Sequence, residues 1–218
     1  MLMVKLPKTI FLTFFIVAAT VFAQTPAPAQ SSASTTFQQQ LAQARAAYFQ
    51  DLQGDSNAAG IAKKDFRALK AEAPDNPVVM AYSGSLALLE AARTWAFWNK
   101  QSWSQKGLAE MDKAVAMAPD NLEARFIRGA SCWHLPFFFH RKQQAEQDLT
   151  FVAMRATQAV KDGQLPPQLG AAALDYYGKI LENRSQHAEA QQAFREAMRV
   201  DPESPGGRDA ASHLDRNS

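Results

Sequence analysis

The sequence predicts an all-α fold: about four helical hairpins stacked in an array and closed by a C-terminal capping helix. Three observations carry this. Apolar residues recur at three- and four-residue steps in one segment after another, and no stretch alternates with period two for long enough to form a strand. A connector of one composition, Ala-Pro-Asp-Asn, occurs at 73–76 and again at 118–121, and in both copies a glycine follows the proline by ten residues, at Gly84 and Gly129. Proline cannot continue a helix, Asp and Asn cap the next one by accepting from its free amides, and the glycine lets a neighbouring helix come close. Finally, Pro74 and Pro119 are 45 residues apart and Pro119 and Pro202 are 83, close to two further units.

The 218 residues, 47% hydrophobic and 20% charged, suit one domain with a real core. Residues 1–23 stand apart. Lys5 and Lys8 form a basic start, 10–21 an apolar run, and Val21-Phe22-Ala23 a small-residue cleavage site, which together read as a cleaved Sec-type signal peptide and place the mature chain in the periplasm or outside the cell. Cleavage removes two of the 23 basic residues and none of the 21 acidic ones, so the mature chain is neutral and offers no electrostatic case for nucleic acid. Cys132 is the single cysteine, so no intramolecular disulfide forms. Pro26, Pro28, Ser31, Ser32 and Ser34 mark 24–35 as a flexible lead-in to a helical domain spanning 36–218.

The first helix runs from 36 to about 52 on Phe37, Leu41, Ala44, Tyr48 and Leu52. Gly54-Asp55-Ser56-Asn57 breaks it, and a second helix reaches Glu72 with Ile61, Phe66 and Leu69 apolar and Ala62 as its contact point. A third starts at Pro77, a residue suited to a first turn, and runs long through Met80, Gly84, Leu88 and Ala92 toward Trp98. The fourth, from about 104 to 117, turns Leu108, Met111 and Val115 inward. A third pair starts at Leu122, breaks at Leu135-Pro136 and continues from about 140 to 160 on Ala145, Leu149 and Val152. The last pair covers about 168–182 and 186–200, and a short amphipathic tail at 208–214 caps the array.

The last pair is the most regular, with Leu174, Tyr177-Gly178 and Leu181 on its first helix and Ala190, Phe194, Ala197 and Pro202 after them. These residues resemble the tetratricopeptide repeat, with Leu174 in place of the usual Trp and Leu181 in place of the usual Tyr. The resemblance covers about 36–214 and is closest in the last unit. It departs from the pattern where Arg125 and Arg128 stand in place of large apolar residues, and where the second unit carries about 11 extra residues against a 34-residue period. It implies a right-handed superhelical stack whose first helices line a concave face that binds peptides or protein segments.

On that geometry the inner face takes Phe126, Ala130, Trp133 and His134 from the third unit, and Asp175, Lys179 and Glu182 from the fourth. Ala81, Ser85 and Leu88 come from the second. Such a groove would suit an amphipathic or carboxylate-bearing segment; the bland reading makes Phe126 and Trp133 core. Arg125 and Arg128, three apart on one helix side, could grip a carboxylate or phosphate, or pair with acids of a neighbouring helix. In Leu135-Pro136-Phe137-Phe138-Phe139-His140-Arg141-Lys142, three consecutive Phe cannot share one helix side. They either form a docking or membrane-touching wedge around Phe137 and Phe138, or are buried against Trp95, Phe97, Trp98 and Trp103.

The residues give no catalytic, cofactor or metal site. Cys132, His134 and His140 lack a known zinc spacing, and Cys132 and His134 diverge by about 200° on a helix. His187 and His213 read as solvated. The expected function is that of an exported, non-enzymatic scaffold or adaptor holding a protein or peptide of the cell envelope. The alternatives are a carrier for a small apolar or carboxylate ligand, and an enzyme with a composite site at Arg125, Arg128 and His134.

Overall fold

A computed structural model describes residues 30–95 and 97–216, apart from the side chains of 30–35, 97 and 99. The proposed signal peptide and most of the lead-in lie outside the described residues. Among the described residues there are nine α-helices and no strand: α1 (Gln30–Leu52), α2 (Ser56–Glu72), α3 (Pro77–Arg93), α4 (Phe97–Met117), α5 (Leu122–Trp133), α6 (Lys142–Lys161), α7 (Pro167–Asn183), α8 (His187–Val200) and α9 (Pro205–Arg216). They pack pairwise, α1 on α2, α3 on α4, α5 on α6 and α7 on α8. Each pair meets the next through α2 on α3, α3 and α4 on α5, and α6 on α7, and α9 closes the end against both α7 and α8.

The connectors act as their chemistry requires. Asn76 accepts from the amides of Val78 and Val79 at 3.0 and 3.2 Å, and Asn121 from that of Ala124 at 2.8 Å, so both Ala-Pro-Asp-Asn copies cap the helix that follows. The cap residue is the Asn in each case.

One boundary differs from the sequence pattern. α3 ends at Arg93 instead of running to Trp98, and α4 begins at Phe97, so the residues read as an insert lengthen a helix. The cause lies in the packing. A Cβ added to Gly84 would stand 2.6 Å from the Gly107 carbonyl oxygen, and one added to Gly107 would stand 2.5 Å from that of Gly84. Antiparallel helices that touch backbone to backbone at 84 and 107 must turn midway between them, near 95. Thr94, β-branched and weakly helix-forming, supplies the extended residue there. The last hairpin closes by similar contact, with Phe194 filling the space beside Gly178.

α3 is the buried spine. Val79, Met80, Ala81, Tyr82, Gly84, Ser85, Leu86 and Leu88 are all buried, because α4, α5 and α2 pack on it and Tyr48 of α1 reaches it with its side chain. Glu123 on α5 accepts from Arg45 Nε at 2.6 Å and from the Tyr82 hydroxyl at 2.9 Å, joining α1, α3 and α5. Tyr48 and Ser131 meet the Ser85 hydroxyl at 2.8 and 2.9 Å and join the same three helices. Ala81, Ser85 and Leu88, expected on an open inner face, are therefore interior. Ile61, expected inside, is exposed, while Ala62, Phe66 and Leu69 make the α2 contact.

Candidate functional site

A groove of about 650 Å³, partly open to solvent, lies between α1, α5, α7 and the start of α9. Its walls are mostly apolar and follow helical spacing. α5 contributes Phe126, Ala130 and Trp133 at steps of four and three; α7 contributes Leu169, Ala172, Asp175, Tyr176 and Lys179; α1 contributes Phe49 and Leu52. Tyr176 is the centre of its aromatic wall. Its ring lies 5.7 Å from that of Trp133 and 6.4 Å from that of Phe126, and its hydroxyl is 2.8 Å from His134 Nε2. Lys142 places its ammonium over the Trp133 ring, which fixes the indole's orientation.

The polar end of the groove is built on Lys179. Its Nζ donates to Asp175 Oδ2 at 2.6 Å on its own helix and to Asp209 Oδ2 at 2.5 Å on α9. Asp175 is buried, its Oδ1 has no hydrogen-bond partner, and burial raises its carboxyl to about 6 in spite of Lys179. His134 is pushed down by burial and by Lys179 and Lys142, which favours its neutral form. Ligand atoms of Asp175, Asp209 and His213 lie within 4.8 Å of one another, but the Lys179 ammonium already donates to both carboxylates. His213, expected to be solvated, instead stacks on Phe194 with ring centroids 4.6 Å apart and meets Glu182 at 3.0 Å.

Five of the nine residues that the sequence proposes, Phe126, Trp133, His134, Asp175 and Lys179, meet in this groove. Phe126 is buried and Trp133 half-buried, so both also pack against the core. Arg125 and Arg128 point elsewhere. Arg125 donates to Asp148 Oδ1 at 2.8 Å; Arg128 donates to both Asp148 oxygens at 2.7 and 2.9 Å and to Asp112 at 3.2 Å. Asp148 on α6 is 1% exposed, and the two guanidinium groups supply the partners its burial requires. Arg125, Arg128 and His134 thus do not share a cleft.

Phe137–Phe139 form a single 3₁₀ turn, ended by His140 in the left-handed region at φ 53°. Phe139 packs against the core, whereas Phe137 is 88% and Phe138 61% exposed, which excludes full burial of the three. Burial pushes the Cys132 thiol up to about 11, so it stays protonated near neutral pH.

Sequence reasoning missed Phe49, Leu52, Tyr176 and Asp209. Tyr176 had a signal, since it follows Asp175 and lies three before Lys179. Leu52 was read as core because the apolar pattern of α1 does not show which of its positions faces a groove. Set against models of known protein families and against curated proteins, the chain matches none.

Proposed function

We propose that the chain is an exported adaptor of the tetratricopeptide type, which holds an extended segment of a partner protein in the groove between α1, α5, α7 and α9. The observation that carries this reading is the convergence of Phe126, Trp133, His134, Asp175 and Lys179, from two different helices, on one partly open groove. An open groove with aromatic anchors along its floor and charges at one end supports recognition of a chain, with the apolar side chains supplying most of the affinity. The repeat assignment draws support from the last hairpin. Gly178 and Phe194, the residues that match the family pattern, touch across α7 and α8, and Ala190 and Ala197 are buried beside them. Residues 1–23 supply the export signal of this reading, and the site of action is the periplasm or the cell exterior. The protein binds without catalysing.

A second reading, a carrier of a small apolar molecule, is favoured by the groove volume, which falls within the range of small-ligand sites. One experiment separates them. A photo-crosslinking amino acid placed at Leu52 is activated in cells exporting the protein, and the adducts are resolved by mass. A polypeptide adduct that disappears in Trp133→Ala is expected; a small-molecule adduct supports the carrier, and adducts indifferent to Trp133→Ala overturn the groove as the binding site.

A further inference from the structure

The groove sets one lysine against four carboxylates, Lys179 against Asp175, Asp201, Glu203 and Asp209. The remaining basic group in its lining, His134, is held toward its neutral form by burial and by two lysines. Charge of this sign does not by itself name a ligand. The decisive feature is Asp175, whose side chain is 5% exposed and whose Oδ1 accepts no hydrogen bond, while Oδ2 holds Lys179. Lys179 is shared with Asp209, so one ammonium serves two carboxylates and leaves a buried oxygen without a donor. Such an atom raises the energy of the empty groove, and an N–H donor entering from the groove satisfies it.

Anion recognition is closed off on three counts. The N-terminus of α9, which would favour a negative group, is filled by the chain itself: Ser204 Oγ accepts from the Gly207 amide and Asp201 Oδ1 from the Ser204 amide, each at 3.1 Å. Arg125 and Arg128 are held by Asp148 and Asp112. Lys179 is held twice.

The path from apolar to polar follows one face of α7, from Leu169 to Lys179, about 15 Å at 1.5 Å per residue. An extended segment of roughly five residues spans that length. A short amine reaches only the polar end.

We propose that the groove's occupant is a polypeptide segment carrying a lysine or arginine beside an apolar anchor, with the cation against Asp175 and Asp209 and the anchor against Trp133 and Phe126. This rests on the groove being a peptide site, and it replaces the carboxylate-bearing ligand that the sequence suggested.

The test uses the mature chain and three sets of labelled eight-residue peptides with the same Leu and Phe anchors, flanked by Lys, by Gln or by Glu, read by fluorescence anisotropy. Lys-flanked peptides are expected to bind at least tenfold more tightly than Gln-flanked ones, Glu-flanked ones not at all, and the Lys advantage is expected to shrink at high salt. Asp209→Asn and the exposed Glu203→Gln should each reduce the Lys advantage. Equal affinity for the Lys and Gln sets, with both abolished by Trp133→Ala, overturns the cation preference and leaves the peptide groove standing. Preference for Glu overturns the proposal, as does failure of all three sets. Binding of spermidine in place of any peptide overturns both the proposal and the peptide reading.

Discussion

Arg128 donates to Asp148 and to Asp112, and Arg125 donates to Asp148 from the preceding turn. The spacing of the two arginines was legible in the sequence; their partners, 16 to 23 residues away, were not, because no local pattern marks which acid a folded chain brings opposite. Removing one guanidinium leaves Asp148 charged and buried with half its support. Arg128→Gln is therefore expected to cost about 3 kcal/mol in urea unfolding while groove affinity is unchanged. Asp175 behaves in the opposite sense. Its carboxyl is raised by burial to about 6 against Lys179, with Asp209 and Glu182 adding to the rise. The folded chain thus holds a proton at Asp175 that the unfolded chain has released, and this group's contribution to stability falls as pH climbs from about 4 to 6. Asp175→Asn should gain stability relative to the wild type across that window, by up to about 3 kcal/mol, and a pH series of unfolding curves for the two proteins reads the difference directly.

Gly84 and Gly107 set the α3–α4 hairpin, since each leaves no room for a Cβ against the other's carbonyl oxygen. The repeat spacing drew attention to Gly84, but Gly107 was not singled out in the sequence, so its pairing emerges only from the two helices together. Either Gly→Ala replacement is expected to cost about 2 kcal/mol by forcing the helices apart. The double replacement should cost less than the sum, since both strain the same close approach and one separation of the helices serves both; thermal unfolding of the three variants checks this. Helix starts were legible because Asn76 and Asn121 each follow a connector proline by two residues, whereas the end of α3 was not. Its turn is fixed by where the two glycines meet, with no proline or glycine at 94 to announce it.

Among the described residues the first and last helices close the array. α1 is tied to α5 through Arg45 and to α3 through Tyr48, and α9 supplies Asp209 to the groove and His213 to Phe194. Deleting 202–218 exposes the Phe194 face, frees Lys179 from one partner and opens the groove. A fall in Tm of roughly 5–10 °C is expected, with loss of peptide binding, measured by calorimetry and anisotropy on the same preparation.

By itself the sequence determined that the chain is helical, where the connectors fall, and which faces of α5 and α7 carry Phe126, Trp133, Asp175 and Lys179, because periodicity and caps act over a few residues. Only the tertiary structure decided that Arg45 and Tyr48 tie α1 to α5 and α3, that Asp148 absorbs the two arginines, and that Asp175 is left with an unpaired oxygen. Those outcomes depend on which helices become neighbours, and that is settled by the packing of groups far apart in the chain.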